Sequence, residues 1–102
     1  MKQYKLTYLN IEHNVILIKT KYTNNNTLAL HLNEFTEDGE ESFGTISTNL
    51  ELSCNDNEIY VKEPKDKYDW EEEFLTKNNI AIKIPNTRIK YNYNIYNKFS
   101  IN

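Results

Sequence analysis

Thr27-Leu28-Ala29-Leu30-His31-Leu32 places three leucines on one side of an extended chain and threonine, alanine and histidine on the other. A period of two is the signature of a strand with one apolar face. Reading outward from it, Tyr4, Leu6 and Tyr8 alternate with Lys5 and Thr7, so a first strand is expected over residues 2–9. Asn10 to Asn14 reads as a turn, and the β-branched run Val15 to Tyr22 as the hairpin partner, broken by Asn24-Asn25-Asn26. Beyond the leucines, Asp38-Gly39 suits the positive φ of a hairpin turn. Phe43 to Leu52 then supplies a fourth strand, Asn55-Asp56-Asn57 a turn and Ile59 to Val61 a short strand.

One segment carries the other period. After Pro64, Asp66 or Asp69 can cap a helix. Trp70, Phe74 and Leu75 share a face, Glu71, Glu72 and Glu73 favour the N-terminus, and Asn78-Asn79 suits the end. Ile80, Ile82 and Ile84 then alternate up to Pro85. The odd positions from Ile89 to Ile101 read as a long strand, bulged near Tyr96. The expected fold is α+β, an antiparallel sheet of about five to seven strands with one helix, about residues 67–78, packed on it. The 102 residues suffice for one core, so a single domain, 1–102, is expected.

Composition bounds the setting. Sixteen asparagines and eight tyrosines have AT-rich codons, so genome composition explains much of their excess and their number is discounted as evidence for a site. The longest apolar run, Val15 to Ile18, is far short of a membrane span. The alternating N-terminus lacks a signal peptide's apolar block, and the lone Cys54 has no internal disulfide partner. Cytoplasmic residence without membrane association is expected. The net charge of -3 conceals segregation. Residues 34–73 hold fourteen acids against three lysines, a net of -11, while the remainder is +8.

Motifs that carry chemistry are nearly absent. Two glycines exclude Rossmann and phosphate-loop sites, and no zinc pair or His-Glu-x-x-His helix is present. His31 and Cys54 are the one conceivable base and thiol pair. His31, however, lies opposite the leucines and Cys54 in a polar turn, so no catalytic residue is assigned. Carboxylates at Glu37, Asp38, Glu40 and Glu41, or Asp56 with Glu58, offer oxygen ligands but match no cation loop. No metal or cofactor is expected.

Two surfaces remain. If the 34–41 loop and the 69–73 turn lie on one side, Glu34, Glu37, Asp38, Glu40, Glu41, Asp69, Glu71, Glu72 and Glu73 form a negative patch able to compete with phosphate for a basic cleft. The bland reading is a solubilising face. At the C-terminus Arg88, Lys90 and Lys98 interleave with Tyr91, Tyr93 and Tyr96, and rings on a basic strand can stack bases. Tyr91 and Tyr93 share the parity of Ile89 and Ile95 and are expected in the core.

Thr27 to Leu32, Gly44-Thr45-Ile46-Ser47-Thr48-Asn49-Leu50 and Phe74-Leu75-Thr76-Lys77-Asn78-Asn79-Ile80 resemble the small-protein family catalogued as domain of unknown function 4313. The resemblance covers roughly residues 27–99. It implies a setting in Firmicutes chromosomes, conjugative elements and phages, and it brings no catalytic residues. The function expected is a non-enzymatic binding protein of a phage or mobile element, in its specific form an inhibitor of a host defence nuclease such as a CRISPR effector. The nine acids would contact a protein partner that itself binds nucleic acid. The alternatives are single-stranded nucleic-acid binding through Arg88, Lys90, Tyr96 and Lys98, and a small hydrolase or metal enzyme. Self-association through the C-terminal strand is also open.

Overall fold

The computed structural model describes residues 2–52 and 54–102, which form two antiparallel sheets and one short helix. Strands β1 (Gln3–Tyr8), β2 (Ile11–Lys21), β3 (Leu28–Thr36) and β4 (Gly39–Thr45) pair in sequence order as the first sheet. The β1–β2 connection is shorter than expected. Leu9 and Asn10, at φ 50° and 65°, make a two-residue turn, and residues 11–14 belong to β2. The polar look of Glu12, His13 and Asn14 misleads because each has a place in the ladder. Glu12 pairs with Lys5 on the outer face, and His13 lies across from Leu6 and meets Glu34.

Leu30 and Leu32 are fully buried on the inner face, as the alternation requires, while His31 bonds Ser42 and Thr45 on the outer face. Glu37-Asp38 turns the chain into β4, one residue ahead of the expected pair, and Gly39 opens that strand at φ 113°.

The expected strand over Phe43 to Leu52 is divided. At Ile46 the chain leaves the first sheet, and β5 (Ser47–Thr48) pairs with β6 (Glu58–Lys62) in the second. Leu30 anchors this crossing. Its carbonyl accepts the Ile46 N–H at 2.9 Å, and its N–H donates to Ser47 Oγ at 2.9 Å. Tyr22 bonds the same hydroxyl at 2.8 Å, which accounts for a buried serine. Leu52, at the end of the expected strand, is exposed.

Helix α1 (Glu71–Lys77) is shorter than expected at its N-terminal end. Residues 66–69 form their own turn, in which Asp66 Oδ1 accepts the Tyr68 N–H and Asp69 Oδ2 the Lys65 N–H. Neither aspartate caps the helix. Trp70 is the N-cap residue, and its N–H goes to Glu71 Oε1. The helix ends as expected, with Asn79 at φ 54°.

After α1 come β7 (Ala81–Lys83), β8 (Ile89–Tyr91) and β9 (Asn94–Ile101). The long final strand is in fact the β8–β9 hairpin, turning at Asn92-Tyr93 with φ 46° and 68°. Across a two-residue turn the parity of the inward face reverses, so Ile89 lies opposite Tyr96. Tyr91 and Tyr93, expected in the core, are 45% and 89% exposed. β9 is the centre of the second sheet, with β6 on one side and β7 and β8 in succession on the other.

Leu30 and Leu32 from the first sheet, Ile59, Val61 and Phe99 from the second, and Phe74 and Leu75 from the helix share one core. Trp70, Phe43 and Phe74 continue it toward the surface in edge-to-face contacts with Tyr4 and Tyr8. A second cluster of Leu50, Tyr60 and Tyr96 is separate from that core.

Gly44 lies beneath the Trp70 indole, where an added Cβ would stand 3.0 Å from Cζ2. Gly44→Ala should therefore destabilise the fold by about 1–3 kcal/mol through overpacking. Urea denaturation followed by Trp70 fluorescence checks this, and an unchanged midpoint would show that the indole yields freely.

Candidate functional site

The β3–β4 hairpin carries a run of exposed carboxylates. Thr36 fixes its turn by donating to the Gly39 carbonyl and accepting the Asp38 N–H. Glu41 stands across from Glu34, and Glu40 across from Phe35. Glu37, Asp38, Glu40 and Glu41 are exposed, and among the described residues none pairs with a cation. Glu40 accepts a hydrogen bond from Asn33 at 2.8 Å. Phe35, 43% exposed, supplies an apolar surface on the same hairpin.

The other acids of the expected patch are differently employed. Glu34 is taken up by His13, whose ring packs on Phe43 at 5.0 Å. Asp69 pairs with Lys62 at 2.8 Å. Burial alone would raise its pKa, but the Lys62 ammonium and the N–H groups of Lys65 and Asp66 outweigh this and hold it below the usual range. Glu72 pairs with Lys83. Glu71 is half-buried, and loss of solvent pushes its carboxyl up against the pull of the Trp70 N–H. Glu73 stays exposed on the helix. Four of the nine carboxylates thus crowd the hairpin tip, whereas Asp69, Glu71 and Glu72 are tied into the helix entry.

The C-terminal basic residues are not arranged as a stacking platform. Arg88 forms a two-pronged pair with Glu63, through Nη2–Oε2 at 3.0 Å and Nε–Oε1 at 3.2 Å. Lys98 lies 5.6 Å from the Tyr60 ring centre and 3.8 Å from Glu58 Oε1. Tyr96, assigned to base stacking in the nucleic-acid reading, is buried against Leu50 and Tyr60 and offers no free face. Lys90 is exposed on β8. The reversed parity that buries Tyr96 exposes Tyr91 and Tyr93, which the odd-position pattern had hidden.

His31 and Cys54 do not meet. The imidazole is held by the Ser42 and Thr45 hydroxyls at 2.8 and 3.0 Å on the first sheet, while Cys54 packs against the Leu50–Tyr60–Tyr96 cluster. Burial pushes the Cys54 thiol up, the opposite of nucleophile activation. Among the described residues no group of His, Cys, Asp and Glu is arranged to hold a metal ion, and no helix is long and apolar enough to cross a membrane.

No protein-family model matches the chain, and no curated protein or solved structure matches it either.

Two measurements probe these environments. A carboxyl whose pKa is raised by folding contributes stability below its unfolded value and loses it as pH rises through the folded value. Glu71→Gln keeps an acceptor for the Trp70 N–H and removes the desolvated charge. It should raise the melting temperature by a few degrees at neutral pH and leave it nearly unchanged in acid, as thermal scans at both pH values will show. Cys54, with its raised pKa, should alkylate more slowly with iodoacetamide in the folded protein at neutral pH than in the denatured chain.

Proposed function

We propose that this protein is a non-catalytic binding module of a phage or mobile element that inhibits a host defence nuclease, such as a CRISPR effector. The β3–β4 hairpin is laid against the partner's basic, nucleic-acid-binding surface. The carrying observation is that Glu37, Asp38, Glu40 and Glu41 stand exposed on one hairpin without a cationic partner among the described residues. Such a projection offers a positively charged cleft the same sign of charge as a phosphate backbone. Phe35 beside Glu40 adds an apolar contact that bulk charge alone would lack. The resemblance of residues 27–99 to domain of unknown function 4313 supplies the genomic setting of this reading. Glu34, Asp69 and Glu72 leave the contact set because their charges are already matched internally.

The hairpin reading has a direct test. Reversing Glu37, Asp38, Glu40 and Glu41 to lysine should leave the melting temperature close to wild type, since none contributes to the core. Binding to the nuclease captured from a host with intact defences should weaken by about a hundredfold or more, and inhibition should disappear with it. Wild-type binding should also weaken as salt rises. Full retention of binding by the reversed variant would remove the acidic hairpin as the contact.

A further inference from the structure

The first sheet has an open edge at β1, and the helix runs beside it. Tyr8 and Ile11 close a two-residue turn, so Tyr8, Leu6 and Tyr4 exchange hydrogen bonds with β2. The N–H and C=O groups of the intervening Lys5 and Thr7 therefore point away from the sheet. Asn78 Nδ2 reaches the Lys5 carbonyl at only 3.4 Å, which places that carbonyl on the open side and leaves it weakly satisfied.

Between this edge and α1 lies a groove of about 330 Å³, in which the half-buried Trp70 and the edges of the largely buried Leu6 and Phe74 are the apolar lining, and Glu12, also at its wall, is neutralised by Lys5. A wider depression of about 650 Å³ follows, between the β1–β2 turn and residues 64–69. The two share Thr7 and Glu73 and so form one trough along β1. Its far end exposes Leu9 and Tyr68, 44% and 53% accessible. On the helix wall, Glu73 and Lys77 have no ion-pair partner among the described residues.

We infer that this trough is a second docking site, distinct from the acidic hairpin, where an extended segment of a partner protein adds to β1 as a further strand. Gln3 to Thr7 spans about 13 Å, which gives the edge room for about four extended residues. The edge groups of Lys5 and Thr7 supply the main-chain ladder, and the apolar lining accepts every second side chain. Charge sets the polarity of the segment. Lys77 stands at the Asn78 and Lys5 end and Glu73 midway, so the segment is apolar at alternate positions and acidic at the end nearest Lys77. A second copy of the chain fits poorly, since pairing β1 with itself about a central axis opposes Lys5 to Lys5.

The probe is a displayed library of random short peptides panned on the intact protein, followed by titration of isotope-labelled protein with an enriched peptide. Enriched sequences should alternate apolar residues and end on an acid, and the Lys5 and Thr7 amides should become protected from hydrogen exchange. Thr7→Pro deletes an edge donor without touching the β1–β2 ladder and should weaken binding about tenfold. Lys77→Glu, an exposed change, should switch the preferred terminal residue from acidic to basic, so the proposal stays testable even if the proline variant folds poorly. The hairpin charge-reversal variant should bind the peptide as wild type does, which separates this site from the first. A consensus without alternation, protection confined to segments other than β1, or undiminished binding to Thr7→Pro would overturn the proposal. Protection of Lys5 and Thr7 that grows with protein concentration alone would assign the edge to a second copy instead.

Discussion

Two small sheets can hide their apolar faces from water only if something holds them face to face, and the backbone of Leu30 does so. Its side chain is fully buried in the first sheet, while its N–H and C=O hold Ser47 Oγ and the Ile46 N–H of the crossing chain. One residue thus commits both its apolar and its polar groups to the joint, and the low-dielectric surroundings make an unpaired group there costly. The helix fills the remaining gap by placing Phe74 and Leu75 between the sheets. With that frame in place, the hairpin tip of β3–β4 and the edge of β1 are left outside, one through charge and the other through unpaired main chain.

Most elements were legible because period is a physical consequence of burial. Leu30 and Leu32 announce their strand, and Trp70, Phe74 and Leu75 announce the helix. Turns were legible only where residue type dictates φ. Leu9-Asn10 and Asn92-Tyr93 each place a residue without special turn preference at positive φ, so neither turn is legible from residue type. The second turn has the larger effect. A tight turn preserves alternation along the sequence while exchanging its faces, so an unbroken odd-position pattern concealed a hairpin and inverted the burial of Tyr91, Tyr93 and Tyr96.

The charge segregation seen in the sequence also has two meanings that composition cannot separate. Asp69 and Glu72 sit among the acids of the middle segment, yet their partners Lys62 and Lys83 lie within and beyond that segment. They are counterions in the fold. Glu37, Asp38, Glu40 and Glu41 form a dense run with no lysine near them in sequence, and there local sequence density corresponds to free surface charge. The β1 trough was illegible in sequence, because it depends on which side of a strand is left unpaired and on a helix about seventy residues away coming to lie beside it.

The position of β9 has a consequence for how the chain acquires its structure. β1 to β4 are joined by successive connections, each strand pairing with the one just made, so this sheet can assemble as the polypeptide emerges during synthesis. β6 has before it only the two-residue β5, and β7 has no earlier neighbour in its sheet. Both wait for residues 94–101, which lie between them. Until then Ile59, Val61 and Phe74 lack Phe99 and its neighbours to cover them, so the nascent chain passes through a stage with part of its core still wet.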